Sequence, residues 1–228
     1  MKKYELTDET LRWGTHTLRR IRALIDILGK DGEELAVDGE LGGYVESEKN
    51  LDQNGRCWVG GNAQVWGNAH VCGNAQVGGD AQVGDDAHVC GNAHVCGNAR
   101  VCGNALVWGN AQVWDDAQVW GDAQVGDDAQ VCGKAHVCGN AVILQSNHYL
   151  TIGLIGSRDD TTTFTRNAAG VIFVRCGCFH GSLDKFRKKV KETHGGSKYA
   201  KVYLMAADLA ELQIDTTPIE EDKTDETA

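Results

Sequence analysis

The sequence predicts a mainly β protein: a β-helix of six-residue rungs over residues 59–143, preceded by a β-rich cap and followed by a small α+β module ordered βββαα. Three observations predict it. Fourteen hexads run from Val59 without an insertion, in the form VGGNAQ, VWGNAH, VCGNAQ and onward to VCGNAV. Val recurs at every sixth position to Val137, where Ile143 takes the next place, and Ala occupies the fifth place of each hexad from Ala63 to Ala141. The chain also holds 29 Gly against a single Pro, Pro218, a balance that suits a repeat of small residues better than a layered fold.

A period of six fits neither a helix nor a plain strand, but it fits a short strand plus a sharp turn. The Gly-Asn, Gly-Asp and Asp-Asp pairs are turn residues that tolerate a left-handed backbone. Val and Ala flank one variable residue, so strand alternation points both inward. Each buried Val then contributes roughly 1.5 kcal/mol or more before chain entropy is charged. Lys134 departs from the pattern at the turn Asn, and Leu106 and Val142 depart at the outward place.

This hexad resembles that of the hexapeptide-repeat proteins, whose fold is a left-handed parallel β-helix. The resemblance implies three hexads per triangular coil, nearly five coils in all, stacked about 4.8 Å apart. Many such relatives are acyltransferases with a catalytic histidine. His70, His88, His94 and His136 share the outward place with Gln and Arg, which reads as a solvated ladder, and no loop interrupts the coils to receive an acyl carrier. Six of the nine cysteines occupy one hexad place that also accepts Trp and Gly, as apolar fillers do. Trp108, Trp114 and Trp120 fall at that place in successive rungs and read either as a belt for self-association or as shields of their own flanks.

Residues 1–58 are read as the cap, because an open β-helix end exposes unpaired backbone. Their GELGGYVESEKNL stretch resembles the lead-in before hexapeptide repeats in phage and prophage proteins. Arg19, Arg20 and Arg22 here are read as a solvated strand edge rather than a phosphate site.

Net charge is −10, unevenly spread. Residues 144–214 carry 10 basic against 6 acidic side chains, while residues 215–228 carry 1 against 6 and are read as a disordered acidic tail. Only residues 144–214 look built to meet an anion. The acidic whole disfavours nucleic acid, and no run of eighteen apolar residues suggests a membrane span. The expected location is the reducing cytoplasm, that of a host cell if the chain is viral.

Past Ile143 the period of six ends. Tyr149 to Gly156 reads as a strand, and Thr161 to Arg166 with Val171 to Cys178 as a hairpin around Asn167 to Gly170. Ser182 caps a helix carrying Leu183, Phe186 and Val190, and Ser197 starts a second carrying Tyr199, Val202, Tyr203, Ala206 and Leu209. With Arg166 opposite Val171, Thr162, Phe164 and Arg166 share a face with Phe173 and Arg175. The GSRDD turn beside it offers Ser157, Arg158 and Asp159. Rings stack on bases and guanidinium groups grip phosphates, so the face suits a nucleotide-sized anion; a subunit interface with ion pairs suits it equally. Cys176, Cys178, His180 and His194 lack the paired two-residue spacing of a zinc site, and no metal or cofactor is expected.

The segments IGLIGSRDDTTTFTR, VRCGCFHGSLDKFRKKVKETHG and KYAKVYLMAADLA resemble the viral Thoeris anti-defence proteins, over about residues 149–214. That family is one of phage oligomers that sequester cyclic ADP-ribose-type signals made by bacterial TIR enzymes. The resemblance implies that Arg158, Arg166, Arg175 and Phe179 hold a ligand's pyrophosphate and rings. The expected protein is a homo-oligomeric, non-enzymatic sponge for a small cyclic nucleotide. A structural, oligomerising repeat protein without a ligand is the alternative, and acyl transfer a third reading.

Overall fold

The computed structural model describes residues 2–219, and the chain divides after Ser146 into two compact units. The acidic tail expected over 215–228 falls, from residue 220 onward, outside the described residues.

The first unit is a parallel β-solenoid with an amino-terminal strand region. Strands β1 (Tyr4–Trp13) and β2 (His16–Ala23) form an antiparallel hairpin, β3 (Ile27–Leu28) pairs with β4 (Glu34–Ala36), and β2 also pairs antiparallel with β5 (Leu41–Val45). β5 is the adaptor. Its Tyr44–Val45 lies parallel to Gln64–Val65, so the parallel stacking begins upstream of the first hexad at Val59. Leu51 bridges to Val71, and Trp58–Val59 pairs with Gln76–Val77. The hairpin thereby covers a row of backbone groups that would otherwise be an open edge. Arg19, Arg20 and Arg22 face Asp8, Glu9 and Glu5 at 3.6, 3.0 and 3.2 Å.

Each hexad contributes a two-residue strand, and each strand up to Gln124–Val125 pairs with the one eighteen residues on, as Gln82–Val83 pairs with Arg100–Val101. Three hexads therefore close one coil, and the rungs form three walls. One wall stacks Val45, Val65, Val83, Val101, Val119 and Val137; the others run Val71 to Ile143 and Val59 to Val131. Hydrogen bonds climb from each coil to the next: Gln82 N–H donates to Ala99 O, Gly84 N–H to Val101 O and Asp86 N–H to Gly103 O, at 2.9, 2.9 and 3.0 Å. Val65 to Val137 and Ala63 to Ala135 are buried throughout, as alternation requires.

The corners explain the Gly-Asn pairs. Gly97 has φ +70°, and a Cβ there would lie 2.9 Å from the backbone nitrogen of Asp115 in the next coil, so only glycine passes without strain. At two of the three places where Asp stands instead, its side chain compensates. Asp85, at φ +60°, accepts from Gly103 N–H at 3.1 Å, and Asp115 accepts from Gly133 N–H at 3.0 Å. The neighbouring corner residue makes a side-chain ladder. Asn74 donates to Asn92, Asn92 to Asn110 and Asn110 to Asp128, each at 3.0 Å. Asn62 donates to Asp80, Asn98 to Asp116, Asn68 to Asp86 and Asn104 to Asp122. No carboxylate in these columns follows another, and Lys134 stands eighteen residues after Asp116.

Trp108, Trp114 and Trp120 lie on three different walls, all half-buried. The Trp108 indole covers Gly126, and Trp66 covers Gly84, where a Cβ would fall 2.2 and 2.3 Å from the ring. These two shield the glycine of the next coil.

The second unit is a four-stranded antiparallel sheet with two helices. Strands β6 (Tyr149–Ile155), β7 (Asp160–Arg166), β8 (Ile172–Cys176) and β9 (Phe179–Ser182) follow one another in sheet order, and helices α1 (Leu183–His194) and α2 (Lys198–Gln213) pack on one face. β9 is a strand beyond the three expected, formed by Phe179 to Ser182 turning back on β8. Ser182 and Ser197 accept from Lys185 N–H and Ala200 N–H as N-caps. Phe164, Val174, Phe186, Val190, Tyr203, Ala207 and Ala210 form the core.

The hairpin register differs from the expected one. Arg166 stands opposite Ile172, not Val171. Asn167 and Val171 close the loop instead: Asn167 N–H donates to Val171 O at 3.1 Å, and the Asn167 Oδ1 accepts from Val171 N–H at 2.9 Å. Since side chains alternate along a strand, a slip of one residue exchanges the faces. Thr162, Phe164 and Arg166 therefore lie with Ile172, Val174 and Cys176 on the helix side, and Phe173 and Arg175 on the other.

Candidate functional site

That slip dissolves the face expected to bind an anion. Phe164 is fully buried, edge-on to Phe186 at 6.0 Å. Arg166 is buried, and its guanidinium donates to the carbonyl oxygens of Asn167, Asp215 and Ala168 at 3.0, 3.0 and 3.2 Å. Burial lowers its pKa, while Asp215 opposes that shift. Thr162 is buried, with its hydroxyl 3.2 Å from the Cys176 sulfur. Phe173 stacks on His180 at 6.2 Å, on the opposite face, where Arg175 stands across from His180 and Thr163. These five residues do not form one site. Asp159 is exposed at the end of the GSRDD turn, at φ +47°.

The remaining three expected residues do meet. Ser157, Arg158 and Phe179 line a cavity of about 340 Å³ at the end of the core, with Cys176, Cys178, Phe186, Lys189, Val190, Thr193, His194 and Tyr203. Its walls follow from the local sequence. Gly156 has φ +75°, and a Cβ there would strike the Tyr203 ring, so this glycine lets the turn lie flat on the aromatic surface. Gly177, at φ +56°, turns β8 into β9 beneath Arg158, whose Nε would lie 3.1 Å from a Cβ at that place. Ala200, Tyr203 and Ala207 anchor the inner face of α2, and Phe186 and Val190 that of α1.

The floor is aromatic. Phe179 lies 5.4 Å from Phe186, Phe186 5.9 Å from Tyr203, and the His194 ring 5.5 Å from Tyr203. Burial pushes the Tyr203 phenol up, and its hydroxyl reaches Cys176 and Ser157. Arg158 and Lys189 put two exposed cations on the lining. An aromatic floor with cations at its mouth takes a flat ring by stacking and an anionic group by charge. A second groove of about 250 Å³ runs along the solenoid beside Trp58, Gly60, Gly78 and Cys96, lined without Lys or Arg.

Lys189, Thr193, His194 and Tyr203 were not among the expected site residues. Lys189 and Thr193 are four apart beside the Phe186 and Val190 stripe of α1, so they border the face that α1 turns to the core. Of the four residues weighed for zinc, Cys176, Cys178 and His194 line this cavity, and His180 lies against Phe173. Among the described residues no three His, Cys, Asp or Glu side chains are grouped to hold a metal ion. In the solenoid His70 and His88 are neighbours on one wall, edge-on with ring centroids 6.1 Å apart, whereas His94 and His136 sit on the other two walls.

Residues 99–115 match the family model of the YdcK beta solenoid repeat. The matched span runs from Ala99 to Asp115, so this part of the solenoid is similar to a repeat of the YdcK type. No curated protein matches the chain. Among the described residues no helix is long and apolar enough to cross a membrane.

Proposed function

We propose that the second unit binds a small nucleotide-type anion in the Phe179–Phe186–Tyr203 cavity, and that the protein acts by sequestration, without chemistry. The observation that carries this reading is the aromatic floor beside Arg158 and Lys189, in a volume at the lower end of ordinary small-molecule sites. A base stacks on the rings, and its phosphate meets the two cations. The resemblance of residues 149–214 to viral Thoeris anti-defence proteins narrows the ligand to a cyclic ADP-ribose-type signal and the role to blocking a host defence from within the host cytoplasm. Three of the nine residues first assigned to the ligand, Ser157, Arg158 and Phe179, remain in this proposal.

Titration calorimetry with cyclic ADP-ribose isomers, ADP-ribose and AMP tests it. Binding by the full chain, lost in Arg158→Ala and Lys189→Ala while both variants melt at the original temperature, supports the reading. Absence of heat with all of these ligands removes it. The purely structural reading draws its support from the long solenoid with its continuous buried Val walls, and it would then stand alone.

A further inference from the structure

Six of the cysteines share one hexad place, and the eighteen-residue coil decides which of them meet. In one column Trp114 separates Cys96 from Cys132, and in another Trp120 separates Cys102 from Cys138. Of the six, only Cys72 and Cys90 stand eighteen residues apart, on consecutive coils of one wall. Both carry free thiols and are half-buried.

Their backbones are held in register. Val71 lies opposite Val89, Cys72 N–H donates to Val89 O at 3.0 Å, and Cys90 N–H donates to Val107 O at 2.9 Å. Rungs stacked about 4.8 Å apart fall within the Cα separation of roughly 4.4–6.8 Å that a disulfide spans. The side chains meet as well, each thiol being a hydrogen-bond partner of the other. Cys57, the other thiol near Cys72, is engaged elsewhere. It is fully buried, accepts from Lys3 Nζ at 3.2 Å, and its own Sγ lies 3.6 and 3.7 Å from the carbonyl oxygens of Asp52 and Asn54.

We infer that Cys72 and Cys90 are a redox-responsive clasp, which closes to an intramolecular disulfide when the surrounding thiol pool is oxidised. With oxidised glutathione as the oxidant, one protein thiolate attacks a glutathione sulfur and displaces the first glutathione thiolate. The second protein thiolate then attacks the protein sulfur of the mixed disulfide and displaces the other. One sulfur–sulfur bond forms in the protein as one breaks in the oxidant, and the two thiol protons end on two molecules of reduced glutathione. Cys90 is the better first nucleophile. Burial raises both thiols, but contact with Cys72 brings Cys90 back down, whereas Cys90 raises Cys72 further.

The clasp sits where the cap docks. Asp52 N–H donates to Val71 O at 3.0 Å, and the N–H groups of Arg56 and Cys57 to Gly73 O at 2.9 and 3.0 Å. A bond from Cys72 to Cys90 ties that coil to the next and closes an eighteen-residue loop in the unfolded chain. The closed form therefore resists fraying of the solenoid from its capped end, while a reducing pool keeps the pair open. This inference lies in the first unit and is independent of the cavity in the second.

Equilibrating the full chain with oxidised and reduced glutathione at mildly alkaline pH, then quenching in acid, denaturing and alkylating, tests it. In oxidising mixtures two of the nine thiols escape alkylation, and the mass before alkylation falls by two hydrogens. Cleavage before Asp80 and Asp86, which lie between the two cysteines, leaves the fragments joined, and fragmentation of the joined product places the bond. The melting temperature rises by roughly 5 °C or more and returns on adding dithiothreitol. Cys72→Ala and Cys90→Ala, at a place that the repeat fills with Gly, Cys or Trp, each abolish the loss of two thiols, and Cys96→Ala leaves it unchanged. Nine alkylated thiols in every mixture overturn the inference. So does a glutathione adduct that never closes, a bond placed at other cysteines or between two chains, or a closed form that melts no higher than the open one.

Discussion

The Arg166 guanidinium donates through Nη1 to the carbonyl oxygen of Asp215 at 3.0 Å, joining the middle of the second sheet to the chain that leaves α2. A cation in a core is tolerated because three carbonyl oxygens accept from it, those of Asn167 and Ala168 while also accepting from Gly170 N–H and Ile219 N–H.

Arg166→Leu should therefore destabilise the second unit by about 3 kcal/mol, since it removes three charge-assisted hydrogen bonds at once. Arg158→Ala, at an exposed place, should leave the unfolding midpoint unchanged and abolish ligand binding. Urea unfolding followed by tryptophan-independent circular dichroism, beside calorimetry, separates the two arginines.

How far the sequence was legible differs between the two units for a physical reason. In the solenoid every rung has the same neighbours, so Val and Ala at fixed places declare the inward face fourteen times over. The hairpin declares its register once. Its first strand, with Thr161, Thr162, Thr163 and Thr165, has no apolar alternation to fix which side is buried, so the closing geometry of Asn167 and Gly170 decided it. That one-residue difference moved Phe164 and Arg166 into the core. Phe179 was expected at the site and lines the cavity, but the β9 strand that presents it was hidden in a Gly-rich run, and Tyr203 reaches the cavity only through the space left by Gly156.

The corner columns predict a charge rule. Asn98→Asp would place three carboxylates, with Asp80 and Asp116, one above another and remove the Asn98 amide donor. The variant should lose about 1 kcal/mol at low ionic strength, with much of the loss recovered in high salt. Thermal melts at two salt concentrations read this directly.

Glu9 accepts from the Tyr44 hydroxyl at 2.7 Å and from Arg20 at 3.0 Å. The Tyr44 bond first, then that of Arg20, holds its carboxyl below the ordinary range. A depressed folded-state pKa contributes stability that is present above the unfolded pKa of about 4.3 and is lost as pH falls through the folded value. Glu9→Gln should thus melt below the parent at neutral pH, and the gap should close in acid. Melting curves across that range show whether it does.

Burial, and then the neighbouring Cys90, pushes the Cys72 thiol up to about 11. The thiolate is the nucleophile, so Cys72 should alkylate slowly at pH 8 and gain reactivity as the pH approaches 11. Cys178 is exposed and should label first. Peptide mapping after timed iodoacetamide treatment distinguishes the two sites.

The eighteen-residue interval between paired rungs makes length in this protein a quantised property. Excising or duplicating three consecutive hexads returns every later residue to its own wall, so valine still meets valine and each outward side chain keeps its side of the coil. Excising one or two hexads keeps the inward valines but advances all later residues by a third or two thirds of a turn, so that every outward side chain moves to a different wall. Natural variation in such a chain should therefore come in whole coils, and an engineer can lengthen or shorten it in the same unit.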